Sequence, residues 1–244
     1  MKMETLHQRG IEMIVQPITF DNLNQSVEVT AKVCTDAMVT GSQSFANKLW
    51  GLKHQTPFEH NTYRVKSAKL ASLVSIMKDA NIYNPAFRVD ESGDYVYGSY
   101  RAFRNAMFND EDIEWVSEAP SDVLRRTFYI ETNIGISREM VRHRSLSFTE
   151  RSTRYVKEHD SEFTRKFSGF GWVWSHVTIT YKELQERKIK RDLIRELLPL
   201  GTKTALYATG FLDQWEDFIA LRCAPGAHIA IQAIANKIDE YITL

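Results

Sequence analysis

The stretch Arg142-His143-Arg144-Ser145-Leu146-Ser147-Phe148-Thr149-Glu150-Arg151-Ser152-Thr153-Arg154-Tyr155 concentrates the side chains best suited to holding an oxyanion. Arginine presents a planar fork of donors that matches phosphate oxygens in pairs, and it stays charged at any working pH. The hydroxyls of Ser145, Ser147, Thr149, Ser152 and Thr153 can complete the hydrogen bonds of such an anion. Glu150, set among these cations, can fix an arginine or accept from a sugar hydroxyl. A charge run is more often a solvated face. Here the arginines alternate with small hydroxyls instead of with lysine and glutamate at helical spacing, which points to a local phosphate site.

A second block, His54-Gln55-Thr56-Pro57-Phe58-Glu59-His60, also carries chemistry. Thr56 as N-cap and Pro57 at the first helical position start a short turn. A metal site is not expected: no third ligand lies at a recognisable spacing from His54 and His60, and neither HExxH nor CxxC occurs. Glu59 and His60 divide evenly between a role in the site and one in capping and packing.

The elements that must position these blocks follow from periodicity and breakers. Residues 10–18 alternate as a strand, and Asp21 or Asn22 caps a helix running to about 33. A second helix is expected over 42–52, then strands over 61–67 and 127–132, the latter with Phe128 and Ile130 on one face. Between those strands lie a helix over 71–79, an Asn84-Pro85 turn, a short strand over 95–97, a basic helix over 100–108 and an acidic loop over 110–114. Arg101 and Arg104 could reach a substrate, though an ordinary surface helix is the commoner fate. A short helix over 136–141 leads into the arginine stretch. Ser147 and Thr149 there favour a loop, because their hydroxyls compete for backbone hydrogen bonds. Residues 169–174 are aromatic without the spacing of a dinucleotide fingerprint. A charged helix follows over 177–193, and 211–242 reads as two helices broken at Ala224-Pro225-Gly226.

Composition bounds the function. The 244 residues are 43% hydrophobic and 25% charged, ordinary values for a globular chain. Net charge is zero, so no global field draws the chain to nucleic acid or membrane, and any anion site must be local. Two cysteines, Cys34 and Cys223, argue against a disulfide framework and suit a reducing, cytoplasmic setting. The first ten residues lack an apolar signal core, and no apolar run is long enough to span a bilayer.

The arginine stretch resembles the signature of flavin-dependent thymidylate synthases, R-H-R-x-x-S-x-N-x-x-S-x-R. Arg142, His143, Arg144, Ser147, Ser152 and Arg154 stand in register, and Thr149 departs where the family has asparagine. The His54–His60 block resembles the family's H-x-T-P-F-E-H, which precedes the first strand of its central sheet. Arg195, before Leu198-Pro199-Leu200, matches an arginine that contacts the nucleotide in the family. Leu221-Arg222 with 227–232 is similar to L-R-x-x-x-x-A-Q-x-E-I, with His228 for glutamine and Ala230 for glutamate. The family's N-x-R-x-x-x-N flavin-binding run falls on Phe211, Asp213 and Asp217, none of which is retained.

This resemblance implies an α+β fold: a central, mostly antiparallel sheet flanked by helices. It implies one domain over 1–244, with 69–123 an insertion, assembled as a homotetramer with shared active sites and no nucleic-acid or membrane partner. The implied reaction converts dUMP to dTMP, with methylenetetrahydrofolate as carbon donor, FAD as hydride carrier and NADPH as reductant. It makes Arg222 and Ser152 the catalytic candidates, with Arg222 facing the pyrimidine and Ser152 binding without a covalent link. Arg142, Glu150, Arg151, Ser152, Arg154, Arg195 and Arg222 are then substrate-binding; His54, Thr56, Arg142, His143, Arg144 and Glu150 are cofactor-binding. Carboxylates at Asp213 and Asp217 would repel the FAD pyrophosphate, so FAD is expected to bind loosely or through other donors such as Arg101 and Arg104. Two other readings stay open at this point: a flavoenzyme acting on another pyrimidine nucleotide, and a single-strand binder using the arginine loop with aromatic stacking.

Overall fold

The computed structural model describes residues 5–8, 11–33, 39–70, 86–152 and 171–243. Within them the fold is α+β, with two antiparallel sheets. Thr5–Gln8 (β1), Ile11–Ile18 (β2), Arg125–Asn133 (β7), Ser147–Glu150 (β8) and Lys203–Phe211 (β9) form the larger sheet, in the order β1-β2-β7-β9-β8. Alternation in β7 sends Phe128 and Ile130 to one face, where both are fully buried with Met13 and Val15 of β2 and Leu206 and Ala208 of β9. Helices Leu212–Arg222 (α7) and Ile229–Thr243 (α8) cover that face.

The sequence pattern explains the cover. In α8, Ala230, Ile231, Ile234, Ala235 and Ile238 form one apolar stripe, and all are 0% exposed. Burying each isoleucine stabilises the fold by roughly 2 kcal/mol. In α7, Trp215 meets Phe128 edge-on at 5.1 Å, and its indole N–H donates to the Arg126 carbonyl at 3.1 Å. The two helices separate at the expected Ala224-Pro225-Gly226 break, where Gly226 takes φ +95°. His228 caps the second helix, its Nδ1 accepting from the Ala230 N–H at 3.1 Å.

Strand β9 has no counterpart among the expected elements. Every residue from Thr204 to Phe211 is buried, so this central strand lacks the polar alternation that marks a half-exposed one. Phe211, expected to open a helix, closes β9; its N–H donates to Gln214 Oε1 at 2.8 Å as α7 begins. Ser147 and Thr149, expected in a loop, lie in β8, because pairing with β9 outweighs their local preference for turns.

Leu23–Lys32 (α1) and Gln43–Gly51 (α2) pack with the 3-10 turn Thr56–Glu59, which in turn packs on β8. Asn22 caps α1, accepting from the Gln25 N–H at 3.0 Å. The buried Glu28 carboxylate ties α1 to the start of α2: it accepts from the Ser42 N–H at 2.9 Å and the Thr40 hydroxyl at 3.0 Å, and pairs with Lys32. The cap of the 3-10 turn is Gln55 and not Thr56.

The smaller sheet joins Tyr63–Lys66 (β3), Phe87–Val89 (β4), Tyr95–Gly98 (β5) and Glu114–Trp115 (β6) in the order β4-β5-β3-β6. β3 therefore belongs to this second sheet and not to the central one. Its own core holds Tyr63, Val65, Phe87, Val96 and Phe103. Gly98 stands opposite Phe87 in register, and a Cβ there would come within 2.8 Å of that ring. Tyr100–Asn105 (α3) is shorter than expected, ending before Met107, which takes φ 68°. The expected helix over 71–79 and the Asn84-Pro85 turn lie outside the described residues. Ile134–Met140 (α4) precedes β8, its N-cap Asn133 accepting from the Ile136 N–H at 2.9 Å. Gly171–Glu186 (α5) starts earlier than expected, and Arg191–Ile194 (α6) is separated from it by a turn at Lys188, φ 58°.

Candidate functional site

The arginine stretch begins at the end of α4. A tight turn, closed by His143 N–H to Met140 O at 3.0 Å and Leu146 N–H to His143 O at 3.1 Å, carries Arg142, His143 and Arg144 to the start of β8. Arg142 and Arg144 are exposed. His143 is half-buried, edge-on to Phe218 at 4.7 Å. From α7, Arg222 reaches across to the same turn. Its Nε–H donates to His143 Nε2 at 2.7 Å, and its Nη2 to the Glu139 carbonyl at 2.8 Å. The Glu139 carboxylate lies 3.4 Å from Nη1.

This contact fixes the state of the imidazole. His143 Nε2 accepts a hydrogen bond, so its proton is on Nδ1. Burial first, and then the neighbouring Arg222 cation, bring its pKa down to about 4, against the opposing pull of Asp217. His143 is neutral at physiological pH, and the one full charge in the pair is the guanidinium, gripped from two sides.

Along β8, alternate residues serve opposite faces of the sheet. Glu150 accepts from the Ser137 hydroxyl at 2.6 Å and the Thr204 hydroxyl at 3.2 Å, against α4. Thr149 points the other way, to His60 Nε2 at 2.8 Å. His60 Nδ1 meets the Thr209 hydroxyl at 2.7 Å, which meets Thr127 at 2.7 Å. This chain of side chains is buried throughout. Burial, and secondarily the Arg125 cation, lower the His60 pKa to about 3, so the ring is a neutral bridge between the 3-10 turn, β8 and β9. Arg151 continues the β8 ladder, its N–H donating to Ala205 O at 2.7 Å. It lines a pocket of about 230 Å3 with Lys32, Tyr129 and Tyr207.

The structure thus brings Arg222 and His143 together and sets Glu150 on the other flank of α4. It does not gather the whole arginine stretch into one loop. His54 and Thr56 are exposed near the 3-10 turn, and their side chains make no hydrogen bond to either cluster among the described residues. Arg195 is exposed in the 3-10 turn Arg195–Leu197. Ser152 follows β8, partly buried, and Arg154 lies outside the described residues.

The expected alternative donors are committed elsewhere: Arg101 pairs with Glu59 at 2.5 Å, and Arg104 with Asp110. The donor beside Asp213 is instead Arg88 of β4, whose Nε and Nη2 reach Asp213 Oδ2 at 3.1 and 2.6 Å. Arg88 also stands over the Phe211 ring at 4.7 Å, and Arg125 at 5.2 Å. Arg88, Glu139, Ser137 and Thr204 were not singled out in the sequence. Only Ser137, early in a helix that feeds the motif, carried any signal. Cys223 donates to Asn236 Oδ1 at 3.0 Å, and burial pushes its thiol pKa up, which opposes a nucleophilic role.

Among known proteins, residues 101–243 match the family model described as thymidylate synthase complementing protein, more than half of the chain. The flavin-dependent thymidylate synthase of Mycolicibacterium vanbaalenii is 30% identical over 138 residues, 45% of this chain and 54% of that protein. That of Corynebacterium efficiens is 24% identical over 212 residues, 73% of this chain and 84% of the relative. The chain thus spans about half the length of the first of these relatives. A solved structure of Thymidylate Synthase X from Helicobacter pylori with FAD and dUMP is 24% identical, covering 48% of this chain and 66% of that one, with a TM-score of 0.41.

Proposed function

Because the chain belongs to the thymidylate synthase complementing protein family, we propose that it is a flavin-dependent thymidylate synthase, a methyltransferase converting dUMP to dTMP. Methylenetetrahydrofolate is the carbon donor, with FAD and NADPH as the redox partners. The observation that carries this reading is the Arg222–His143 contact at 2.7 Å, which unites two motifs 79 positions apart.

Methylation at uracil C5 requires negative charge to build on the ring and its oxygens. A guanidinium held in place before substrate arrives stabilises that charge without reorganising. Arg222 meets the requirement: His143 and Glu139 fix its plane, and the neutral imidazole adds no second charge beside the Glu139 carboxylate. We assign Glu150, whose carboxylate is held by Ser137 and Thr204, the role of accepting from the nucleotide. We assign Arg142, Arg151, Ser152, Arg154 and Arg195 to nucleotide binding, with Ser152 holding the substrate and not attacking it.

The residues present fit a flavin dinucleotide. Arg142 and Arg144 are exposed cations, and the Arg88 pair neutralises the Asp213 carboxylate that would otherwise repel a pyrophosphate. His54, Thr56, His143 and Glu150 complete that assignment. FAD, when bound, supplies the hydride chemistry of the reductive methylation.

We read residues 1–244 as one domain in which 69–123 is an insertion, acting in the cytoplasm as a homotetramer. Exposed Trp172, Ile179, Leu193, Leu197 and Leu200 support assembly, and Arg195 lies within that apolar run. Among the described residues no helix is long and apolar enough to cross a membrane. The test is the visible spectrum of the purified protein after FAD incubation, followed by product analysis with dUMP. Bound flavin and dTMP formation dependent on methylenetetrahydrofolate are expected. A colourless protein that makes no dTMP would overturn the reading.

A further inference from the structure

A cleft of about 900 Å3 opens where β2 ends beside β7, lined by residues 17–21, by 60–62 after the 3-10 turn, and by the connection from β6 to β7. It shares no residue with the Arg222–His143 contact. Ile18, Phe20, Val116, Leu124 and Tyr241 give it apolar walls. Small-molecule sites combine such a volume and lining with a few placed polar groups.

Two residues of the lining, Arg125 and Trp115, each bury a donor that lacks an acceptor among the described residues: the Arg125 Nε–H and the Trp115 indole N–H. Buried donors ordinarily find a partner. Both residues are held on the same segment. Arg125 Nη1 donates to the Asn61 carbonyl and Nη2 to the Glu59 carbonyl at 2.9 Å. Trp115 stands opposite Tyr63 in register, and the Val116 N–H donates to the Thr62 carbonyl at 3.0 Å. Arg125 makes no ion pair among the described residues, since the Glu59 carboxylate is taken by Arg101 at 2.5 Å. Burial first, opposed by Glu59 and aided by Arg88, brings its pKa down to about 10, so it stays charged at neutral pH. A buried cation without a counter-charge is costly, and an anion beside it relieves that cost.

The rim narrows the ligand. Asp21 and Glu118, both exposed, line the cleft, and the exposed Arg126 offsets only one of them. A polyanion would gain one inner cation and meet net negative charge outside. This disfavours dUMP, FAD, NADPH and methylenetetrahydrofolate, all multiply charged. A single carboxylate suits the inside: one planar group accepts from a guanidinium and from a second N–H, and an apolar body attached to it fills the walls. Both orphan donors are closed to water, so a ligand reaches them by shifting the wall. Trp115 sits in β6, an edge strand of only two residues, and little backbone bonding holds it.

We propose that this cleft binds a monocarboxylate with an apolar body, held by Arg125 and Trp115, as a site separate from the one around Arg222. The inference does not rest on the assigned reaction. The test is calorimetric titration of the full chain with octanoate, 4-phenylbutyrate, octanamide and inorganic phosphate, with tryptophan fluorescence followed in parallel. Saturable binding of octanoate or phenylbutyrate is expected, with a fluorescence change as Trp115 moves; the tighter of the two identifies the body as a chain or a ring. Octanamide, which has the shape without the charge, should bind at least about ten-fold more weakly, and phosphate should not compete. Trp115→Phe keeps a ring against Tyr63 and removes only the orphan donor; it should stay folded and weaken binding about five-fold or more. Arg125→Gln should abolish binding, and if that variant does not fold, Trp115→Phe decides. Arg222→Ala should leave binding unchanged. Equal affinity for octanamide, competition by phosphate, undiminished binding in Trp115→Phe or in folded Arg125→Gln, loss of binding in Arg222→Ala, or no binding by about 1 mM would each overturn the proposal.

Discussion

Acid should destabilise this protein through His60 in a way that one substitution removes. The imidazole is fully buried, with both nitrogens engaged by threonine hydroxyls, and its pKa falls to about 3. In the unfolded chain the same group titrates near 6.5. Between those values the unfolded chain takes up a proton that the native state refuses, so stability falls as pH falls through 6.5 towards 3. At pH 5 the loss is about 2 kcal/mol relative to neutral pH, a large share of a typical domain's stability. His143 shifts in the same direction, but it is half-exposed and present in both proteins compared, so it cancels. The assay is urea unfolding of wild type and His60→Gln at pH 7.5 and pH 5, at one protein concentration. Glutamine keeps a donor and an acceptor but does not titrate. The variant should start less stable by about 1–3 kcal/mol, from imperfect bonding to Thr149 and Thr209. It should then lose about 2 kcal/mol less than wild type on acidification. Parallel pH profiles for the two proteins would refute the buried neutral bridge.

Three further outcomes follow. Arg222→Ala should lower kcat for dTMP formation roughly 10²-fold or more, and Arg222→Lys should not restore it, since lysine cannot span His143 and Glu139 together; a kcat within a few-fold of wild type would remove Arg222 from the chemistry. Arg88→Ala should leave Asp213 uncompensated and make FAD easier to dialyse away, and Asp213→Asn in the same background should restore retention, both read from flavin absorbance after dialysis. Trp215→Ala should cost about 3–5 kcal/mol in thermal or urea unfolding, because it empties a site packed against Phe128 and Phe218 and orphans the Arg126 carbonyl.

Amphipathic elements were legible in the sequence because each has a wet side. The break between the two C-terminal helices, the Asn22 cap and the Phe128–Ile130 alternation all appear where expected. β9 was not legible, since a strand covered on both faces carries no period to read. The roles expected of Arg222 and His143 came from the resemblance of two motifs to the family, and the structure brings those two side chains into contact. The placement of Thr149 and Arg151 opposite Glu150 depends on pairing with β9, and so on an element the pattern conceals. Arg88 is 125 positions from Asp213, and no local rule links the two. Asp213, which stands where the resembled family has arginine, is paired by Arg88 of the second sheet.

Strand β8 contains only four residues and pairs on one side with β9, so little backbone bonding sets its position. Its alignment is pinned instead from above and below, by Thr149 to His60 and by Glu150 to Ser137 and Thr204. A slide of one residue would exchange the faces, presenting Glu150 to a buried imidazole and the Thr149 methyl to α4. No partial slide satisfies either pin. The site is therefore all or none with respect to this strand. A lesion at His60, on the far side of the sheet, would act at Glu150 by populating a misaligned minority, and not by a graded change in geometry.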